Sequence, residues 1–271
     1  GRMQTSICLR RRREMQFMGY RREDGRVGVR NYVLILPGCA CASETCRLVA
    51  SEVRGTKNVI MNVGCSDVQA NTDMNLRVLT GFALNPNVFG VIVIGLGCET
   101  VGHRELAAKI RAETSKPVVS FGIQEIGGTV ATTAAAVKAA RVKVAQASEQ
   151  QREPCDASDL FVAIECGGSD ATSGIASNPA VGNMSDRIVD LGGTTMMSET
   201  IEFVGAEHIL AKRGATPEIH DQIIRICEDY EKHLAGVGQD CRTGQPTTGN
   251  KAGGLSTIEE KSLGCIHKGG T

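Results

Sequence analysis

Residues 88–96, VFGVIVIGL, are apolar at every position apart from two glycines. A run this short, β-branched and without polar alternation leaves no face for water. It fits a strand of a parallel sheet covered by helices on both sides. Three further strands are expected over residues 31–36 (stopped by Pro37-Gly38), 57–63 and 116–121. Amphipathic segments alternate with them: 43–53 with Ser43 as N-cap, 73–84, 104–113 and 129–147. In the last of these Val130, Ala134, Val137, Ala140 and Val144 recur at helical spacing, one stripe for the sheet. Strand–helix alternation implies right-handed βαβ units and a Rossmann-like, doubly wound parallel α/β sheet.

A chain of 271 residues has room for about two domains of roughly 150 each. Residues 19–147 form the first. Residues 148–158 are polar, carry Pro154 and read as a linker. Residues 159–271 read as a second α/β domain, with strands at 159–165 and 194–198 and a helix over 182–191 after Pro179. Thr216-Pro217-Glu218 supplies an N-cap, an N1 proline and an acidic first turn. The helix it opens runs to about Leu234, with Ile219, Ile223, Ile226, Tyr230 and Leu234 on one stripe. Beyond Gly236 the chain turns Gly-rich and polar, with one short helical signal at 257–263, so this domain is expected to be incomplete, truncated at its C-terminal side. Residues 1–18, basic at 10–13, read as a tail or the remnant of an added leader, and have no apolar core for a signal peptide.

Thirty Lys plus Arg balance thirty Asp plus Glu, so the chain has no global field to steer it to nucleic acid or an anionic membrane. Aromatics are 3% with no Trp, which argues against base-stacking platforms. No apolar run approaches the ~18 residues of a membrane span. Small-molecule chemistry remains. Eleven cysteines scattered through a long chain with no leader point to reduced thiols and a cytoplasmic protein.

Cys41, Cys65, Cys98 and Cys166 each follow an expected strand. The carboxyl ends of parallel strands share one edge, where ligands bind, so these thiols are expected to converge and to favour iron, an iron–sulfur cluster or zinc. The paired CxxC spacing of zinc ribbons is missing, and no GxGxxG for a nucleotide follows the first strand. Taken singly, a free cysteine is more often a small buried hydrophobe. Three polar segments accompany the thiols: the arginines Arg26 and Arg30, suited to carboxylates or else to a solvated turn; a hydroxyl-rich loop with Ser169 and Asp170; and a titratable stretch from Gly249 to Ser262.

These segments together, DGRVGVRN (24–31), GLGCE (95–99), CGGSDATSG (166–174), NPAVG (178–182) and GNKAGGLSTIEEKSLG (249–264), resemble the altronate/galactarate dehydratase family, which includes the large subunit of sulfolactate sulfo-lyase. The resemblance runs from about Tyr20 to Thr271. It implies an iron-dependent lyase that binds a sugar-acid carboxylate beside the metal and loses water by β-elimination to give a 2-keto-3-deoxy acid. It makes Cys41, Cys65, Cys98 and Cys166 the candidate ligands of Fe2+ or a cluster. Arg26, Arg30, Ser169, Asp170 and Asn250 become candidate substrate contacts, and Glu199, Glu207 and Lys261 candidate catalytic groups. Members of the family usually continue past a segment like 267–271 and carry a small β-rich domain or subunit, so a partner subunit, a longer parent chain and a homo-oligomer are expected. Activity of this length of chain on its own is then open. Sulfite release from a sulfo-acid is the alternative chemistry. A non-catalytic, zinc- or thiol-stabilised module is the alternative of another class.

Overall fold

The computed structural model describes residues 15–271; most of the expected basic tail, with Cys8, lies outside them. The chain forms two compact units that divide between Cys155 and Asp156.

The first unit opens with β1 (Gln16–Arg21), β2 (Val27–Gly28) and β3 (Tyr32–Pro37), followed by α1 (Ala40–Glu52), β4 (Thr56–Asn58), α2 (Gln69–Leu84) and β5 (Val88–Gly95). Then come α3 (His103–Glu113), β6 (Val118–Gly122), the short α4 (Ile123–Ile126), α5 (Thr129–Glu149) and β7 (Glu153–Asp156). Four strands make a parallel sheet in the order β4-β3-β5-β6, and β2-β1-β7 make a small second sheet. Strand β1 takes residues assigned to the tail, and β7 takes residues assigned to the linker.

Strand periodicity explains the two-faced core. Val33, Ile35, Ile92 and Ile94 point to one side, where Cys46 and Val49 of α1 and Ala136 and Ala140 of α5 meet them. Leu34, Leu36, Val91 and Val93 point to the other, against Leu79 of α2 and Leu106 and Ile110 of α3. The chain runs from β3 outward to β4, then back across β3 to β5 and on to β6, so the winding reverses between β3 and β5. Such a switch point opens a crevice at the carboxyl edge.

Two local expectations shift. Helix α1 starts at Ala40; Ser43, expected as its cap, instead donates from Oγ to the Met61 carbonyl at 3.1 Å and accepts its N–H at 3.0 Å. In α5 the buried side is Thr132, Ala136, Ala140 and Ala147, while Val130 is 86% exposed. Small side chains let the helix approach the sheet closely, and close packing decides the stripe over hydrophobicity.

The second unit holds β8 (Phe161–Ile164) parallel to β9 (Thr194–Met197). A π-helical turn over Ser173–Ser177 leads into α6 (Asn178–Asp190). Then follow α7 (Glu207–Leu210), α8 (Pro217–Gly236), α9 (Cys241–Gly244), α10 (Thr248–Ala252) and α11 (Ile258–Cys265). Thr216 caps α8, its side chain accepting from the Ile219 N–H at 3.3 Å. On α8, Tyr230 and Leu234 pack on Val204, Cys227 and Ile258, whereas Ile219 and Ile226 of the expected stripe face outward. The Gly-rich end, with one helical signal in the sequence, folds into three short helices. Thr247 and Asn250 form a reciprocal cap on α10, and Thr257 caps α11. No helix among the described residues is long and apolar enough to cross a membrane.

Candidate active site

In the first unit the loops after β3, β4 and β5 are tied to one another. Gly38 N–H donates to Ile94 O (2.8 Å), Ala40 N–H to Val63 O (2.7 Å) and Thr100 N–H to Gly64 O (2.9 Å). Cys65 and Cys98 sit on these loops and Cys41 in the first turn of α1, all exposed. Among the described residues, the one group of three His, Cys, Asp or Glu ligand atoms lying within 4.8 Å of one another is Cys166, Glu199 and Glu202. The three thiols of the first unit stand outside that compact group, exposed along the carboxyl edge of the sheet. Strand-end position brings backbones to one rim and leaves side-chain direction free.

The arginine motif takes up its own turn, the alternative the sequence left beside carboxylate binding. Arg26 pairs with Asp24 at 2.6 Å and donates to Leu84 O, while Arg30 donates to Val29 O. Arg22 donates to Pro86 O at 2.7 Å, and Lys116 donates to the carbonyls of Ala83 and Asn85. Residues 83–86 precede β5 and Lys116 precedes β6, so this cationic edge is the amino-terminal one. Within the unit it lies opposite the cysteine rim. Burial, with Arg22 and Arg26 nearby, pulls the Lys116 amine down to about 7.

In the second unit the sequence motifs do meet. Cys166 follows β8, and its backbone N–H donates to Glu199 Oε2 at 3.1 Å. Its Sγ lies 3.2 Å from Ser169 Oγ. Asp170 Oδ1 accepts from the N–H and hydroxyl of both Thr172 and Ser173, which folds the loop and holds its carboxyl below the ordinary value. Asn250 Nδ2 donates to Ser169 O at 2.8 Å, and Lys261 Nζ donates to Gln245 Oε1 at 3.1 Å and Asn250 Oδ1 at 3.5 Å. Ser169, Asp170, Lys261, Cys265 and His267 line one cavity of about 220 Å3. Glu207 stands apart: it accepts the Gly205 N–H and does not line that cavity.

Four groups missed in the sequence complete the cluster. Glu202, 2% exposed, accepts from Cys265 Sγ at 3.2 Å and pairs with Lys268 Nζ at 2.5 Å; the Lys268 side chain is 6% exposed. Burial first and then Glu202 raise the Cys166 thiol and push Cys265 up to about 12. Burial opposes the Lys268 charge, but the Glu202 hydrogen bond and the charges of Cys265 and Glu202 outweigh it and raise the ammonium. The fourth, His267, donates from Nδ1 to Leu263 O at 2.7 Å, which in a neutral ring leaves Nε2 as the acceptor. The available signals were the i, i+3 spacing of Glu199 and Glu202, and the run 265–268 directly after the longest motif.

The cluster suits a divalent cation. One thiolate and two carboxylates mix soft and hard donors, as iron and zinc accept. With Cys166 ionised and Lys268 protonated, the four groups carry a net charge of two negatives. Glu199, held at a left-handed φ of 65°, is a non-glycine residue kept in a costly conformation beside the cluster.

Helix α6 braces this region. Ser185 Oγ donates to Lys268 O at 2.7 Å, and a Cβ at Gly182 would stand 2.1 Å from His267 O. Gly182→Ala is expected to cost about 1–3 kcal/mol through the forced backbone shift, read as a lowered thermal midpoint.

Residues 19–148 match the model described as D-galactarate dehydratase/altronate hydrolase, second domain, and residues 157–271 match D-galactarate/altronate dehydratase, C-terminal. The chain belongs to the galactarate/altronate dehydratase family. The C-terminal match contains the whole Cys166–Lys268 cluster. The chain is 41% identical over 256 residues to the (2R)-sulfolactate sulfo-lyase subunit beta of Chromohalobacter salexigens, covering 93% of this chain and 64% of that protein. It is 33% identical to altronate dehydratase of Bacillus subtilis (94% and 52%) and 34% identical to galactarate dehydratase (L-threo-forming) of Escherichia coli (94% and 52%). The chain therefore spans between half and two thirds of these relatives' length. The family is one of lyases.

Proposed function

We propose that the C-terminal unit carries the elimination site of a dehydratase acting on a sugar acid of the altronate or galactarate type. The observation that supports this most is the meeting of Cys166, Ser169, Glu199, Asn250 and Lys261 through direct bonds beside one cavity. The proton on the carbon next to a carboxylate is weakly acidic, so its removal needs a placed base. His267 Nε2, its ring oriented by the Leu263 carbonyl, takes that role in place of Glu199, Glu207 and Lys261. The proton goes to Nε2, the C–H electron pair becomes the Cα=Cβ bond, and the Cβ–O bond breaks, its oxygen leaving with the C–O electron pair and taking the proton back from Nε2 to depart as water. The enol then tautomerises to the 2-keto-3-deoxy acid. Ser169 offers a hydroxyl to the substrate. Cys166, Glu199 and Glu202 would hold a single ferrous ion, since the set contains one thiol where a cluster wants several. Bound there, iron supplies Lewis acidity toward carboxylate and hydroxyl oxygens.

Sulfite release is the second reading, favoured by the higher identity to the sulfolactate sulfo-lyase subunit. The same proton abstraction would then expel the Cβ sulfonate as sulfite, which leaves with the C–S electron pair. That relative's designation as a subunit supports a companion chain, the small β-rich subunit suggested by the sequence. All ten cysteines among the described residues are free thiols, in keeping with the cytoplasm.

Anaerobic incubation with ferrous iron and a panel of altronate, galactarate and (2R)-sulfolactate tests both. A 2-keto acid without sulfite supports the dehydratase. Pyruvate with sulfite supports the sulfo-lyase, and no product from any acid overturns both. In either case His267→Asn is expected to lower kcat about 100- to 10,000-fold.

A further inference from the structure

The cavity beside the cluster holds one cation whose partners are all neutral. Lys261 is half-buried, and among the described residues no carboxylate pairs with it. An ammonium has three donors; Gln245 Oε1 and Asn250 Oδ1 take two, which leaves one for the cavity that Lys261 lines. The two carboxylates on the same wall are engaged by their own loops. Asp170 Oδ1 accepts from Thr172 and Ser173, and Glu260 Oε2 accepts the N–H and hydroxyl of Ser256. Asn250 links the cation to the cluster side, since its amide also donates to Ser169 O. A fixed cation with a spare donor, facing a cavity rimmed by hydroxyls, is a receptor for an oxyanion headgroup.

We infer that Lys261 anchors the anionic headgroup of the substrate, a carboxylate or a sulfonate, and is not the proton-abstracting base. This assignment rests on the reading of the cavity as the site of an acid lyase. Its physical content is separable, because an anchor acts in binding and a base acts in turnover. Lys261 contacts the ligand through Nζ, Gln245 and Asn250 set the direction of that contact, and His267 is left for the proton.

The test uses the full chain, without added metal, and its Lys261→Met and Lys261→Arg variants, with far-UV circular dichroism to establish folding. Calorimetric titration with D-galactarate and with (2R)-sulfolactate gives the affinities. Wild type is expected to bind at least one acid, Lys261→Met to bind it about 10- to 100-fold more weakly, and Lys261→Arg to recover most of the loss. Where turnover is measurable with ferrous iron, KM rises in Lys261→Met while the pH limbs of kcat stay in place. Equal affinity of folded Lys261→Met and wild type overturns the anchor. So does a collapse of kcat with affinity unchanged, or a wild type that binds neither acid. Should wild type bind an acid, lose it in Lys261→Met, and yet turn over nothing, the anchor stands and the lyase reading alone falls.

Discussion

Lys268→Met is expected to lose about 3–5 kcal/mol of unfolding free energy, because it strands the Glu202 carboxylate without its counter-ion at 2% exposure. Against a total of about 5–15 kcal/mol for a domain, that is a large fraction. Replacing both partners, as Glu202→Leu with Lys268→Met, should recover much of it, since the cost lies in the uncompensated charge. The sign of the pH dependence follows from the raised Lys268 ammonium. Its contribution is complete below the ordinary amine value of 10.5 and is lost as pH climbs through the higher folded value. Urea denaturation at neutral and strongly alkaline pH checks both points. A Lys268→Met chain as stable as wild type would show that the pair contributes nothing.

Cys166→Ser is expected to abolish the near-ultraviolet thiolate-to-metal charge-transfer band of the cobalt-loaded protein and to weaken cobalt binding by more than about 100-fold. Glu199→Gln and Glu202→Gln should weaken binding without removing the band. Cys41→Ser, Cys65→Ser and Cys98→Ser should leave both readouts unchanged, because those sulfurs join no three-ligand set. A band that survives in Cys166→Ser but disappears in Cys98→Ser would return the metal to the strand-end thiols of the first unit. Tight zinc binding by a colourless protein that turns over no acid would favour the non-catalytic module.

The parallel sheet was legible because β5 and β3 write burial on both faces directly into their side chains. Thr216 and Thr257 were legible as helix starts because capping is local chemistry. The cluster was legible in its polar loops only. Glu202 and Lys268 lie 66 residues apart, one in a three-residue 3-10 turn and the other just past α11, so no periodicity marks either as buried. Charged residues read as surface until a partner is known. The stripe of α5 was legible in part: Val137, Ala140 and Val144 pack on the core, while Val130 and Ala134 face outward and Thr132 and Ala136 take the closest contact. The arginine motif held a clue in topology itself. Residues that enter a strand and residues that leave it stand at opposite edges of a parallel sheet, so 26 and 41 could not share a rim.

Helix α6 meets the turn after α11 through a missing Cβ at Gly182 and a hydroxyl at Ser185. One rigid strut therefore carries both the histidine and the lysine that neutralises Glu202, and displacement of either drags the other. Proton acceptance and cation retention cannot be tuned separately from that side. Variation in substrate range is left to the loop ahead of the turn that leads into α6, around Ser169 and Asp170.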